Sequence, residues 1–404
     1  MTFIPNNHLN KHGFFEVGEA KFYSKLDAIL YSMEKNLPVH WNFNNEVFSQ
    51  QDWTVEPTES IRELYCRRAQ HIRDQYDYVI VMFSGGADST TVLDSFINNG
   101  IHVDEIYLQH WGKGQGGLDQ YMTGEIFHSA LPYLERKLPA DCGTLVTVND
   151  ISDFLLECIK DPVRRQRSYR ECNNIHNLSQ IHVHYDLENR FERWRQVKQQ
   201  GKKLCFVWGE AKPNIDYNVD TQKHYFYFED HYAHAPQPRD QEHPDVLTHH
   251  EQFYNDPEHP ELKIKQCHLL LKTLGQIKNR SDIFVDLESD RQKVLLGPRG
   301  FNIKTARAIS ATTWANGKKW WLDRNAFNCT IYPDWNFLTY HQDKTPGRLI
   351  HDAHKWISEK APAESKDWFA GYIKTYGALP DKWTKHRGGL EQGIQRLQIK
   401  YYLE

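Results

Sequence analysis

The sequence predicts an α/β protein with a doubly wound, mainly parallel sheet, a small N-terminal lobe and a mostly helical C-terminal region. Three observations carry this prediction. Four apolar runs of strand length alternate with stretches of helical periodicity. The first run, over residues 77–83, is apolar at successive residues, which is typical of a parallel strand buried on both faces. At 404 residues, the chain is also long enough for a large α/β core with additions.

The strands and helices are predicted in alternating order. Helical periodicity starts at Ser60 and returns after the apolar runs. The predicted strands cover residues 77–83, 103–110, 144–148 and 203–208. The predicted helices cover residues 88–98, 118–138 and stretches within 151–200. Such a series implies parallel strands, whose ligand crevice is expected beyond their carboxyl ends.

The domain organisation is predicted from breaks in this alternation. Residues 1–57 end at a proline and are expected to form the small N-terminal lobe. Residues 58–275 carry the alternating elements, and an irregular, proline-rich excursion over 211–260 is typical of a lid. Residues 276–404 are expected to form a C-terminal substrate or cap region.

Composition and charge narrow the compartment and the partners. The 49 basic and 53 acidic residues give a net charge of −4, so no overall positive field would hold a polyanion. The seven cysteines are odd in number, scattered and without a Cys-x-x-Cys pair, which favours reduced thiols. The sequence has neither a signal-like start nor an apolar run of membrane-spanning length. We therefore expect a cytoplasmic protein with no membrane partner and only local nucleic-acid contacts.

A phosphate-binding turn is predicted between the first apolar run and the helix that follows it. Residues 84–90 read Ser84-Gly85-Gly86-Ala87-Asp88-Ser89-Thr90. The glycines permit a tight turn, and the amides at the helix N-terminus form an anion site. Ser84, Ser89 and Thr90 offer hydroxyl donors, while Asp88 is suited to hold Mg²⁺ against phosphates.

This turn resembles the pyrophosphate-binding loop of a known superfamily. It matches neither the Walker A pattern nor the dinucleotide fingerprint Gly-x-Gly-x-x-Gly. It is similar to the Ser-Gly-Gly-x-Asp-Ser loop of the PP-loop superfamily, the N-type ATP pyrophosphatases, over about residues 60–275. The resemblance implies a HUP-like fold and the cofactors ATP and Mg²⁺. It further implies that residues 84–90 hold the departing pyrophosphate while a substrate oxygen attacks the α-phosphorus.

A second segment, after the fourth apolar run, resembles the active-site strand end of relatives in that superfamily. It reads Trp208-Gly209-Glu210-Ala211-Lys212. Gly209 and Glu210 match the start of the Gly-Glu-Gly-x-Asp-Glu segment of asparagine synthetases, with Asp216 displaced, and Lys212 also fits sulfate-nucleotide reductases. The resemblance implies that Gly209 adds to the nucleotide site and that Asp88 and Glu210 bind the metal. The catalytic candidates are Asp88, Glu210 and Lys212, where Lys212 would neutralise charge on the phosphates.

The resemblance leaves several reactions open. Thr2 stands where glutamine-dependent synthetases carry a catalytic cysteine, and Cys329 is the last cysteine of the chain. We therefore favour adenylylation of a carboxylate or carbonyl oxygen, followed by attack of an amine or ammonia, without a glutaminase. The alternatives are ATP-dependent sulfur transfer to a nucleotide or tRNA base with Cys205 and Cys267, a sulfonucleotide-reductase-like activity, and a non-catalytic nucleotide-binding module. The partners implied are a small-molecule acceptor and an amine or sulfur donor.

Two stretches of the chain also resemble uncharacterised PP-loop proteins encoded by tailed phages, which would place the protein in a host cytoplasm. They are residues 60–89 and 260–272.

Four weaker patterns complete the candidates. A glycine-rich stretch at 111–117 follows the second strand, where PP-loop enzymes receive adenosine, and would close over it or form a mobile connection. Arginines at 164–170 and at 190–195 would grip a phosphorylated substrate, a nucleotide or a tRNA, or would form a solvated helix face. The histidine-rich segment 224–260 is a weak candidate for a transition metal. Four basic residues of a predicted helix, of which the last three fall near one face, would complete the phosphate site or face solvent; they are Lys263, Lys265, His268 and Lys272.

Overall fold

The computed structural model describes just under half of the chain. The described residues are 13–22, 25–110, 126–139, 141–151, 190–209, 213, 215–218, 221–228, 247–278 and 399–404. Among them, no helix combines the length and the apolar character needed to cross a membrane.

The N-terminal residues form a small antiparallel sheet. Strand β1 (Phe14–Val17) lies between β2 (Ala20–Phe22) and β3 (His40–Asn42). Helix α1 (Lys25–Lys35) connects β2 to β3, and a one-turn helix α2 (Asn45–Phe48) follows. The buried aromatic residues of this sheet belong to the same hydrophobic cluster as one face of the central sheet. The two sheets therefore share a core.

Seven strands follow along the central part of the chain. They are β4 (Tyr78–Met82), β5 (Glu105–His110), β6 (Leu145–Asp150), β7 (Leu204–Trp208), β8 (Ile215–Asn218), β9 (Lys223–Phe226) and β10 (Thr248–Gln252). Five of them form one sheet in the order β10-β7-β4-β5-β6, and every pair of neighbours is parallel. This arrangement confirms the predicted α/β class.

The order of the strands reverses beside β4. From β4 the chain builds outward through β5 to β6 and then returns to the other side of β4 with β7 and β10. The register pairs Met82 with Trp208, so β4 and β7 end side by side. In open parallel sheets, ligands bind outside the carboxyl ends of the strands at such a reversal.

Helices lie on both faces of the sheet. In chain order they are α3 (Ile61–Gln75), α4 (Ala87–Ile97), α5 (Leu131–Lys137), α6 (Glu192–Gln199) and α7 (Pro260–Lys278), with a π-helical turn at Ile126–Ala130 before α5. Val79 and Val81 of β4 pack in the cluster that includes α3, α4, α5 and α7. Ile80 and Met82 point to the other face and pack with Trp194 of α6.

An ionic cluster buried between α3 and β10 ties the edge of the sheet to its helices. The guanidinium of Arg68, only 1% exposed, lies 2.6 Å from Glu251 and 2.7 Å from Asp256. The hydroxyl of Tyr76 donates to the second oxygen of Glu251. Both carboxylates pair with the same cation. Without Arg68, the negative charges of Glu251 and Asp256 would therefore be buried without a partner of opposite charge.

The strands predicted from apolar runs correspond to β4, β5, β6 and β7. The segment expected to be irregular, 211–260, contains β8, β9 and β10 among its described residues. Strand β10 reads Thr-His-His-Glu-Gln, and its buried side chains are polar. The apolar runs of the sequence therefore did not predict it. Strands β8 and β9 form a second small sheet with β11 (Tyr401–Tyr402). Apart from residues 276–278 and 399–404, the predicted C-terminal region lies outside the described residues.

Candidate functional site

The turn between β4 and α4 is built around Gly85. Its φ angle is +75°, a left-handed conformation that residues with a side chain rarely adopt. A Cβ on Gly85 would lie 2.7 Å from the Cβ of Ala130 and 2.9 Å from its backbone. Both the backbone angle and the packing against the π-helical turn therefore require glycine at this position.

The hydroxyl groups of Ser84 and Ser89 form hydrogen bonds within the turn. The Oγ of Ser84 accepts a 3.2 Å hydrogen bond from the amide of Gly86. The Oγ of Ser89 accepts from the amide of Ser84 at 3.2 Å and lies 3.1 Å from the Oγ of Ser84. Ser89 and Thr90 are only 4% and 5% exposed. In the structure, then, the hydroxyls of Ser84 and Ser89 bond within the turn and shape it.

The first turn of α4 presents its amide groups near the carboxyl end of strand β4. Gly86 is the N-cap, in extended conformation, and it has no side chain to bond to the helix amides. The hydrogen bond of 2.9 Å from the Thr90 amide to the Gly86 carbonyl is the first of the helix. The amides of residues 87–89 therefore lie at the positive end of the helix dipole, which is a favourable place for an anion.

Asp88 lies half-buried in this first turn, close to a buried lysine. Lys263 of α7 is fully buried, and burial lowers its pKa to about 7, while the neighbouring Cys267 and Asp88 act in the opposite direction. Burial also raises the pKa of Tyr65, and the negative charge of Asp88 raises this pKa further. Lys263 is thus the basic residue of α7 whose charge interacts with the predicted site.

Gly209 stands directly after β7 and contacts the same helix. A Cβ on Gly209 would lie 2.9 Å from the Cα of Ser89, 2.9 Å from Val92 and 3.0 Å from the carbonyl oxygen of Asp88. The absence of a side chain therefore lets the end of β7 pack on the first turn of α4. The structure thus brings Gly209 next to the 84–90 turn.

The other catalytic and metal candidates are not part of the described structure. Glu210, Ala211 and Lys212 lie outside the described residues, as do the glycine-rich stretch 111–117 and the arginines of 164–170. Residues 229–246 of the histidine-rich segment 224–260 also lie outside them. Of its histidines, His250 of β10 accepts a 3.1 Å hydrogen bond from the indole of Trp208.

The predicted basic face of α7 exists, and it binds the segment 53–57. Lys265 donates to a backbone carbonyl of this segment at 2.9 Å, and His268 lies 3.0 Å from another. Lys272 lies 2.6 Å from Glu56, which also pairs with Lys265. These three side chains therefore connect α7 to the N-terminal part of the chain, and Lys263 alone of the four interacts with Asp88 in the structure.

The arginines at the start of α6 also contact the protein itself. Arg193 pairs with the buried Glu105 of β5, which accepts a further 2.7 Å bond from the indole of Trp194. Arg195 pairs with Glu192 one turn away. Arg193 therefore serves the packing of α6 on the sheet, whereas Arg195 forms an exposed pair within the helix.

The two thiols considered for sulfur chemistry belong to the core. Cys205 of β7 and Cys267 of α7 are both 0% exposed. Burial raises the pKa of the Cys267 thiol above its usual range. Reactive thiols are partly exposed and have a lowered pKa, so neither residue has the surroundings of a nucleophile.

Together these features define the class of the chain as an α/β protein. A glycine turn and an open helix N-terminus lie where the strand order of its parallel sheet reverses. The chain was compared with models of known protein families, with curated proteins and with solved structures, and none of them matches it.

Proposed function

We propose that the turn at 84–89 binds the pyrophosphate part of ATP, and that the chain is an ATP-dependent enzyme of the PP-loop type that releases AMP and pyrophosphate. The observation that carries this proposal is the position of the turn. A left-handed glycine, a bare N-cap and the amides of residues 87–89 lie at the strand-order reversal, beside the close contact between Gly209 and α4.

The residues of the turn fit a nucleotide phosphate and its metal ion. The amides of 87–89 would bind phosphate oxygens, and Gly86 would let them approach without a Cβ in the way. Asp88 would supply a carboxylate oxygen to Mg²⁺. When bound, Mg²⁺ would supply positive charge to the phosphates. The nearby Lys263 interacts electrostatically with Asp88 and, when protonated, partly balances its negative charge.

The chemistry proposed at this site is transfer of an adenylyl group. An oxygen of a carboxylate or carbonyl substrate attacks the α-phosphorus, the bond to the bridging oxygen of the β-phosphate breaks, and pyrophosphate leaves. An amine or ammonia then attacks the activated carbon, loses a proton and displaces AMP. Glu210 is proposed to bind metal or orient the amine, and Lys212 to neutralise charge on the phosphates. The buried state of Cys205 and Cys267 gives no support to the sulfur-transfer alternative.

The position of the label after ATP cleavage tests the proposal. Full-length protein would be incubated with Mg²⁺ and ATP labelled at the α or the γ position, together with pools of carboxylic acids and amines. We expect labelled AMP from the first and labelled pyrophosphate from the second. Formation of ADP and phosphate, or intact ATP in every pool, would contradict the proposal.

A matched pair of variants shows whether the turn is responsible. Asp88→Ala should lower pyrophosphate release about a hundredfold or more, the effect typical of losing a group that stabilises charge at the reacting centre. Asp74→Ala changes an exposed aspartate on α3 and should leave the rate unchanged. Equal rates for Asp88→Ala and wild type would remove Asp88 from the site.

A further inference from the structure

A cluster of metal-binding side chains lies between α3 and the segment that follows β10. His71 comes from α3, and Asp256 and His259 come from the residues just before α7. Each offers one ligand atom, and these three atoms all lie within 4.8 Å of one another. Asp256 and His259 belong to the histidine-rich segment 224–260, whereas His71 lies far from it in sequence, and the cluster is separate from the turn at 84–89.

The buried polar atoms of this cluster favour a bound ion. The Nε2 of His259 is buried and has no hydrogen-bond partner among the described residues. The Asp256 side chain is fully buried, with one oxygen facing Arg68 and the other accepting the Glu258 amide at 3.1 Å. Buried nitrogen atoms are normally bonded, and an ion is one of the explanations for an orphan. Each oxygen of Asp256 retains a further lone pair for such an ion.

The surrounding charges allow a cation. Arg68 is the positive group in contact with Asp256, and its charge is already matched by Glu251 and Asp256 themselves. The carboxylate of Glu258 lies 3.0 Å from the Nε2 of His71 and adds a further negative charge at the mouth of the cluster. The His71 and His259 rings are nearly perpendicular, with centroids 4.6 Å apart, so they do not stack and their nitrogens are able to converge.

The donor set defines the kind of ion. We propose that His71, Asp256 and His259 bind a divalent transition ion of the Zn²⁺ type, with Glu258 or water as the fourth ligand. Two imidazole nitrogens and a carboxylate oxygen suit Zn²⁺, whereas Mg²⁺ and Ca²⁺ take oxygen ligands. Zinc bonds of about 2.0–2.1 Å place tetrahedral ligand atoms about 3.4 Å apart. Since the ligand atoms lie within 4.8 Å of one another, they would have to approach by at most about 1.4 Å to reach that spacing.

The ion would join two parts of the chain that are distant in sequence. His71 lies near the end of α3, and Asp256 and His259 follow Tyr254, whose hydroxyl bonds to the carbonyl of Asp88. Binding would therefore fix the segment that supports the first turn of α4. Because no nucleotide takes part in this site, it stands whether or not the chain cleaves ATP.

Titration of the full chain with Co²⁺ tests the metal site. The protein would be freed of any affinity tag, stripped with chelator and titrated while visible absorption is recorded, since four-coordinate Co²⁺ absorbs strongly there. We expect a band that saturates and is displaced by Zn²⁺. His71→Ala and His259→Ala should each weaken binding at least about tenfold, because even changes to groups that only support metal ligands cost about 10–100-fold. His102→Ala, which alters a half-exposed histidine beside Asp104, is the matched control.

Thermal unfolding separates loss of the site from loss of the fold. Zn²⁺ should raise the melting temperature of wild type and of His102→Ala, but not that of His71→Ala, whose unliganded form should melt like unliganded wild type. His71 is partly exposed, so its alanine variant is expected to fold. Wild type without a saturable band, or His71→Ala and His259→Ala with the same Co²⁺ affinity as wild type, would overturn the proposal.

Discussion

The hydroxyl of Tyr254 donates a 2.6 Å hydrogen bond to the backbone carbonyl of Asp88. Tyr254 is 1% exposed and belongs to the segment that follows β10, whereas Asp88 lies in the first turn of α4. The bond thus connects the segment that follows the edge strand β10, which includes Asp256 of the buried ionic cluster, to the turn proposed to bind phosphate. Through this bond, a change in the buried ionic cluster of Arg68 and Asp256 would also affect the position of the first turn of α4.

Removal of that bond gives the first prediction. Tyr254→Phe keeps the buried ring and deletes the donor, so we expect a loss of about 0.5–1.5 kcal/mol in the free energy of unfolding, measured by urea denaturation. Tyr31→Phe, in α1 beside Phe22, is the control and should change stability less. An unchanged midpoint for Tyr254→Phe would show that the bond contributes nothing to the fold.

A pair of glycines separates packing from backbone strain. Both Gly85 and Gly100 have a positive φ, but a Cβ on Gly100 meets no atom within 4 Å, whereas one on Gly85 meets Ala130. Gly100→Ala should cost about 1–2 kcal/mol, the left-handed penalty alone. Gly85→Ala should cost about 1–3 kcal/mol more, because the turn has to move away from the π-helical turn. Guanidinium denaturation measures both, and equal losses would contradict the packing described for Gly85.

Neighbouring arginines on α3 give the third prediction. Arg68→Met leaves Glu251 and Asp256 buried without their cation and should cost about 3–5 kcal/mol. Arg67→Met removes a side chain that is 45% exposed and paired only at the surface, so it should cost at most about 1 kcal/mol. Chemical denaturation of the two variants is the measurement. Similar losses would mean that the buried cluster does not hold β10 to α3.

The depressed pKa of Lys263 makes stability depend on pH. The folded amine loses its proton at about pH 7, whereas the unfolded amine keeps it up to its usual pKa of 10.5. Between these values unfolding takes up a proton, so this group makes the free energy of unfolding rise with pH, by about 1.4 kcal/mol per unit. Below about pH 7 both states are protonated and the contribution is constant.

Lys263→Met should remove this pH dependence. The measurement is the difference in free energy of unfolding between variant and wild type at several pH values from about 7 to 9, so that other titrating groups cancel. We expect the difference to change in favour of wild type as the pH rises. A difference that is independent of pH would mean that Lys263 keeps its proton in the folded chain.

The central strands were predictable because their own residues determine them. Strands β4 and β7 are apolar at nearly every position, and an apolar run of that length has few alternatives to a strand buried on both faces. Strand β10 was missed because Glu251 and its neighbours are polar. They are buried only through partners such as Arg68, which lies far away in the chain, and no local pattern contains that information.

The site was predictable to the extent that it is local. The turn at 84–90 carries its own glycines and lies between a strand and a helix, so its position followed from the pattern. Helical spacing also grouped Lys265, His268 and Lys272 correctly on one face, but spacing does not tell what a face contacts. The proximity of Lys263 to Asp88, and of His71 to His259, arises from tertiary packing alone.

The phosphate site is tested most directly by a crystal structure of the full chain with Mg²⁺ and an ATP analogue that carries a methylene group between the α- and β-phosphorus atoms. We expect the β- and γ-phosphates to contact the amides of residues 87–89, with Mg²⁺ on the carboxylate of Asp88. Phosphates bound elsewhere on the protein, or a nucleotide whose adenine occupies the turn instead, would contradict this expectation.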